Sequence, residues 1–279
     1  MREEKFMETV TLNNGLTMPV VGYGTYQIES DQTQAAVTAA IRAGYRLIDT
    51  AQYYGNEAGV GQALRQSGLP RADFFVTSKT PLSGYAETKA GIDESLQASG
   101  LDYFDLMLIH WPIPNYLESY GALEDAVKEG KIKAIGLSNF NHQQVDKVLA
   151  NARVKPVIDQ VETHLLWQQA KLHEYLVAND LVHQAWSPLG QGAETIMDNP
   201  VLDELAAHYQ KSPAQVALRF LLQEGVTVIP KALHPQYLAE NIALFDFELT
   251  AAERAALRAQ DQRQSLENWP SGMQIETQY

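Results

Sequence analysis

None of the 279 residues is cysteine, which excludes disulfides and thiolate metal sites. Long apolar runs are missing too. The most apolar stretches, such as "FDLMLIHWP" (104–112), fall far short of the roughly 18 residues that span a bilayer, so no membrane partner is expected. The opening "MREEKFMETV" lacks the apolar stretch of a signal peptide, and a soluble cytoplasmic protein is the expectation. Basic charge is scarce: 21 Lys and Arg stand against 34 Asp and Glu, a net charge of -13. A nucleic-acid partner needs clustered cations and is not expected. The dinucleotide fingerprint G-x-G-x-x-G appears nowhere, which weakens the reading of an open doubly wound sheet. His142, His164, His173, His183, His208 and His234 show no paired metal-ligand spacing, so no metal is expected.

What the chain does contain is a repeating grammar. Eight short apolar or β-branched runs recur: "PVVGYG" (19–24), "YRLID" (45–49), "FFVTSK" (74–79), "FDLMLIH" (104–110), "IKAIGLS" (132–138), "PVIDQVE" (156–162), "LVHQAWS" (181–187) and "VTVIP" (226–230). Each is followed by a segment of helical periodicity. Strands alternating with helices argue for a parallel sheet, and eight of them favour closure into a single α/β domain, a (β/α)8 barrel over residues 1–279. Asn199-Pro200 and Ser212-Pro213 each set a capping side chain before a proline at the first helical position. Two helices therefore separate the seventh and eighth strands, with stripes at Leu202, Leu205, Ala206 and Tyr209, and at Val216, Ala217, Phe220 and Leu221. "VTLNNGLTMP" reads as a hairpin around a two-residue Asn14-Gly15 turn that plugs the barrel bottom.

In such barrels, polar residues at the carboxyl ends of strands read as catalytic. Asp49 ends the second strand, Lys79 the third, His110 the fourth, Ser138 and Asn139 the fifth; Gln160 lies in the sixth and Ser187 ends the seventh. Converging on one mouth, Asp49, Lys79 and His110 would meet Tyr54 from the intervening loop in a proton-transfer site. Carbonyl reduction needs such a site, because hydride arriving at carbon leaves charge on an oxygen that must receive a proton. A phenol with a pKa of about 10 is a reluctant donor, and a neighbouring ammonium brings it down. Lys79 suits that task, Asp49 would hold Lys79, and a neutral His110 would orient the carbonyl. Each residue also has a plainer reading: Asp49 as a helix cap, Tyr53-Tyr54 as packing aromatics, Lys79 as a surface ion-pair partner, His110 as a core residue.

The blocks "GYGTY" (22–26), "LIDTAQYYGNEAGVG" (47–61), "VTSK" (76–79), "LIHWP" (108–112), "GLSNF" (136–140), "AWSPLG" (185–190) and "IPKA....YLAEN" (229–241) resemble, in order and over essentially the whole chain, the aldo-keto reductases. The resemblance is closest to bacterial members related to 2,5-diketo-D-gluconate reductases. It implies an NAD(P)H-dependent reductase of small-molecule carbonyls, monomeric and without an obligate protein partner. It assigns the catalytic tetrad to Asp49, Tyr54, Lys79 and His110. It further implies that Gly24 and Thr25 belong to the cofactor site, that Ser138, Asn139 and Gln160 hold the nicotinamide carboxamide, and that Trp186 stacks on the ring. Ser187, Leu189 and Gly190 would line the pyrophosphate path, with Lys231, Tyr237, Glu240 and Asn241 at the adenosine end. Tyr26, Tyr53 and Trp111 would wall the substrate pocket, and the tail "SLENWPSGMQIETQY" (265–279), with Trp269, would close it. A cofactor-binding sensor with little turnover and a metal hydrolase are the competing classes.

Two departures stand out. The family usually has Lys-Ser, four residues, then Arg after the last strand, where Ser and Arg clamp the NADPH 2′-phosphate; here those positions are Ala232 and Tyr237. Losing the guanidinium removes a bidentate phosphate partner. Lys231 remains as a point charge and His234 can assist when protonated, so the expectation is NADP(H) with NAD(H) also used. The second is "VETHLLW" (161–167), where a His-Pro pair and an aromatic are usual.

Overall fold

The computed structural model describes residues 8–267. Strands β1 (Thr9–Thr11) and β2 (Thr17–Pro19) form an antiparallel hairpin. Then come β3 (Gly22–Gly24), α1 (Ser30–Ala43), β4 (Leu47–Asp49), α2 (Glu57–Gln66), β5 (Phe75–Thr80) and α3 (Tyr85–Ser99). The middle of the chain supplies β6 (Leu106–Ile109), α4 (Tyr116–Lys128), β7 (Ile135–Ser138), α5 (His142–Asn151), β8 (Ile158–Glu162) and α6 (Ala170–Ala178). The last part supplies β9 (Val182–Trp186), α7 (Glu194–Met197), α8 (Pro200–Tyr209), α9 (Pro213–Gln223), β10 (Thr227–Val228), α10 (Pro235–Ile242) and α11 (Ala251–Arg258).

Strands β3 to β10 are all parallel and lie in chain order. The sheet closes on itself through a parallel bridge between Val21 and Val228, with Val228 N–H donating to Val20 O at 2.9 Å and Gly24 N–H to Pro230 O at 3.2 Å. All eight expected strands are present, each shorter than its apolar run except β5, which is as long and shifted by one residue. At the closing seam a Cβ on Gly24 would lie 2.8 Å from Ile229 O, so only glycine lets the last strand approach the first.

The side-chain period of two sorts each strand along its length. Leu47, Phe75, Leu106, Leu108, Ala134, Ile158 and Ile229 fill the lower interior with Leu12 and Met18 of the hairpin. Asp49, Lys79 and Gln160 follow two or four residues later, at the top. Asn13 donates to Pro156 O and Asp180 O, both just before strands, which pins the hairpin over the bottom as expected. Its turn differs from the expected two-residue form. Thr11 pairs with Thr17, Leu12 N–H donates to Leu16 O, and Gly15 is left-handed (φ 87°), a three-residue loop of the kind that needs glycine at that position.

The caps behave as their chemistry requires. Asn199 accepts from Val201 and Leu202 N–H at the start of α8, and Ser212 with Gln215 forms a capping box on α9. Between β9 and α8 the chain also makes a tight turn (Gly190–Gly192) and the four-residue α7, one helix more than the two expected. No helix of the described residues is long and apolar enough to cross a membrane.

Candidate active site

The C-terminal end of β4 delivers Asp49 into the barrel mouth. Thr25 braces it from the neighbouring strand, with N–H and hydroxyl both donating to Asp49 O at 3.0 and 2.9 Å. Beyond β4, a turn of 3-10 helix (Gln52–Tyr54) capped by left-handed Gly55 (φ 65°) swings Tyr54 back over the mouth. Asn56 locks that turn: its carbonyl accepts from the Thr50 hydroxyl at 2.7 Å, and its amide donates to Thr25 O and Ile28 O. Buried Asn56 went unnoticed in the sequence; a polar residue right after a turn glycine was its only signal.

Lys79 and Asp49 are buried to 1% and 2% exposure, which sets aside the surface ion-pair reading. The Lys79 ammonium donates to Asp49 Oδ1 in a short ion pair and to Thr50 O at 3.0 Å, and it lies 3.4 Å from Tyr54 Oη. Asp49 is not a helix cap; its Oδ2 accepts from Gln160 Nε2 at 2.8 Å, and Gln160 also donates to Gln184. Burial pushes the Asp49 carboxyl up and the Lys79 ammonium down, and their contact opposes both shifts.

Burial raises the Tyr54 phenol well above its usual value, and the Asp49 charge and Tyr26 add to the rise. The sequence-based expectation was the opposite, that Lys79 brings the phenol down. The difference comes first from burial, which disfavours the phenolate in a dry site, and then from the Asp49 charge, which offsets that of Lys79. Tyr54 is held protonated. Burial, and secondarily the Lys79 charge, hold His110 well below its ordinary value, so its imidazole is neutral. The His110 ring packs 5.8 Å from that of Tyr54 and stacks at 5.3 Å on Trp111, and its Nδ1 is buried without a partner.

Tyr54 forms the inner wall of a cleft of ≈ 260 Å³ lined also by Tyr26, Gln27, Ile28, Glu29, Ser30, Tyr53 and Gly55. Tyr26 packs on Tyr54 at 5.0 Å between ring centres, while Tyr53 is 72% exposed at the rim. Gln27, Glu29 and Ser30, all exposed, were not expected here, because nothing in their local pattern announces that the loop after β3 borders this cleft. Of the tail expected to close the pocket, Trp269 and everything after Glu267 lie outside the described residues.

On the other side of the mouth, Asn139 (φ 67°) donates both amide hydrogens within the protein, to His110 O and Ser138 Oγ, and its Oδ1 accepts from Trp186 Nε1 at 2.8 Å. Ser138 donates to Gln160 O. With the Gln160 hydrogens also committed, the amides here have acceptor oxygens and no free donors. Ser187 is left-handed (φ 53°) and its Oγ is buried without a partner. Leu189 and Gly190 follow it in the turn before α7. Lys231 donates to Gln27 Oε1 at 3.2 Å across the seam. Ala232 is buried, its carbonyl accepting from Tyr23 Oη, whereas Tyr237 on α10 is 56% exposed beside His234. Glu240 accepts from Gln236, and Asn241 is buried. Gly24 answers to the seam and Thr25 to Asp49. Among the described residues no three His, Asp or Glu side chains converge as metal ligands would.

Residues 20–262 match the Aldo/keto reductase family. The chain is 44% identical over 247 residues to glyoxal reductase of Bacillus subtilis (strain 168), an alignment covering 87% of this chain and 89% of that one. It is 46% identical over 248 residues to an uncharacterised oxidoreductase of the same organism, covering 86% and 88%. Its fold superposes on the Bombyx mori aldo-keto reductase in complex with NADP, with a TM-score of 0.89, 34% identity and coverage of 94% and 95%. By sequence and by fold, then, this chain belongs to the aldo/keto reductase family of NAD(P)H-dependent oxidoreductases.

Proposed function

We propose that this enzyme reduces small aldehydes and ketones to alcohols with NADPH, and with NADH as a second cofactor, using Tyr54 as the proton donor. The observation that carries the reading is the relay from the cleft inward: Tyr54 Oη lies 3.4 Å from a buried Lys79 ammonium that is itself paired with Asp49. The bound cofactor supplies the hydride. Tyr54, protonated at working pH, gives its Oη proton to the carbonyl oxygen as charge builds there. Lys79 stabilises the phenolate left behind, Asp49 keeps Lys79 charged, and Gln160 fixes the second Asp49 oxygen. Neutral His110, its ring packed edge-on against that of Tyr54, orients the carbonyl. Tyr54 recovers its proton from water through the open cleft.

The remaining polar groups fit a nicotinamide dinucleotide. Trp186 offers an indole face to the ring, and Asn139 and Gln160 offer acceptors to a carboxamide NH2. The orphaned Ser187 hydroxyl suits a pyrophosphate oxygen, beside Leu189 and Gly190. Lys231 is the cation for a 2′-phosphate, with Tyr237, Glu240 and Asn241 around the adenosine.

Similarity to glyoxal reductase favours 2-oxoaldehydes such as methylglyoxal. Glu29 on the wall disfavours carboxylates such as diketo sugar acids, and Tyr26, Tyr53 and Trp111 would serve aromatic aldehydes. The enzyme is read as a cytoplasmic monomer. The test is the decay of NADPH absorbance with methylglyoxal: Tyr54→Phe is expected to lower kcat by about 10²–10⁴-fold with nucleotide binding intact. Near-normal turnover by that variant would rule out the mechanism.

A further inference from the structure

Between β9 and α7 the backbone takes an unusual course. Ser187 (φ 53°), Gly190 (φ 56°), Gln191 (φ 55°) and Gly192 (φ 81°) are all left-handed, a region rarely entered by residues with a Cβ. Such a run persists only where the surroundings impose it. Here they do so from behind. A Cβ on Gly190 would meet Ile196 Cδ1 at 2.6 Å and Leu266 Cδ1 at 2.8 Å, so these two side chains occupy the space next to it. The Gln191 side-chain amide donates to the Glu267 carboxylate.

Residues 265–267 are in turn anchored in the barrel. Glu162, the fully buried last residue of β8, accepts the Ser265 hydroxyl on Oε2 at 2.7 Å and Leu266 N–H on Oε1 at 2.9 Å. His164 Nε2 meets the same Oε1 at 3.0 Å. Glu267 N–H donates back to Ser265 Oγ at 3.0 Å, and just upstream Gln262 N–H donates to Leu166 O at 2.9 Å. The "VETHLLW" segment therefore serves as the mooring for residues 265–267, which pack against the 187–192 turn.

We propose that Glu162 is a positioning residue: through Ser265, Leu266 and Glu267 it braces residues 187–192 in the shape that receives the nucleotide pyrophosphate. The proposal rests on the cofactor reading above and adds residues that touch neither cofactor nor substrate. A hydrogen bond to a buried carboxylate fixes its partner more firmly than a neutral one does, which is why the anchor is an acid. Without it the turn relaxes, and the nucleotide must restore its shape on binding.

The test compares wild type with Glu162→Gln and with Ser265→Ala combined with Glu267→Gln, the second pair lying outside the core so that a fold survives even where the first variant fails. Two quantities are read: amide hydrogen exchange over 187–192 without nucleotide, and the NADPH Kd from tryptophan quenching. The expected result is faster exchange and a Kd raised by about tenfold, the factor carried by one lost hydrogen bond to a charged group. KM for NADPH should rise by more than kcat falls, and Ser265→Thr, which keeps the hydroxyl, should restore Kd to within about threefold of wild type. Folded variants with unchanged exchange, or with faster exchange and unchanged Kd, would overturn the brace while the cofactor reading stands. Failure of wild type to bind either nucleotide would overturn both.

Discussion

Replacing Asp49 by Asn isolates what the buried ion pair does. The substitution leaves the Gln160 amide an oxygen to bond but deprives the Lys79 ammonium, 1% exposed, of its counter-charge. Breaking a buried pair by removing one partner costs about 3–5 kcal/mol, because the other charge is stranded in a dry site. For a chain of this size each kcal/mol moves Tm by roughly 2–4 °C, so Asp49→Asn should melt on the order of 10 °C below wild type. Lys79→Met in the Asp49→Asn background then removes the stranded charge and fills its volume with an apolar chain, so the double variant should recover about 1–4 kcal/mol. Its turnover should stay lost, since nothing is left to stabilise a tyrosinate. Thermal unfolding of wild type, both single variants and the double variant closes the cycle. If the two single effects simply add, to within about 0.5 kcal/mol, the pair is uncoupled and the argument fails.

Two further outcomes follow from single residues. Asp159 on β8 is fully buried with no side-chain partner, and burial, opposed only by the Phe140 backbone N–H, raises it well above the carboxylate range. The folded form therefore keeps a proton that the unfolded chain releases near pH 4, so Asp159 favours folding at low pH and loses that advantage as pH rises. Asp159→Asn, which never ionises, should match wild type in Tm near pH 4 and exceed it increasingly toward pH 8. Tyr237→Arg restores a guanidinium at an exposed position on α10; the ratio of kcat/KM for NADPH over NADH should rise by about tenfold at low salt and less at high salt. An unchanged ratio would mean that α10 does not face the 2′-phosphate.

The barrel was legible because its two periods are local. Strand ends, proline-marked helix starts and alternating apolar residues can all be read within a few positions of sequence. The four-residue α7 has no room for a period and left no trace. The Asn14-Gly15 pair announced a hairpin but not its length, since the same dipeptide serves two- and three-residue loops. At the site, Asp49, Lys79 and His110 could be placed at one mouth by topology alone. The partners that fix them, Asn56, Gln184 and Thr25, could not, because those contacts depend on how loops fold over one another. The Glu162 to Ser265 bond joins residues 103 apart. The Tyr54 phenol is the instructive miss: sequence names its neighbours, but how dry the site is and how fully Lys79 is neutralised emerge only in three dimensions.

The seam between β3 and β10 also sets the order of assembly. Among the described residues its contacts span the longest stretches of chain: the Tyr23 hydroxyl reaches Ala232 O across 209 residues. During synthesis β3 must wait as an open sheet edge, and so must β9, until a strand of only two residues arrives to join them. Closing so long a loop for so short a strand is slow, and unpaired edges invite pairing with other chains meanwhile. Lys231 and Gln27 flank that seam, so this side of the mouth is completed only at the final closure, whereas Asp49, Tyr54 and Lys79 can meet long before it. Chains arrested short of β10 would hold Asp49, Tyr54 and Lys79 together in a barrel that is still open.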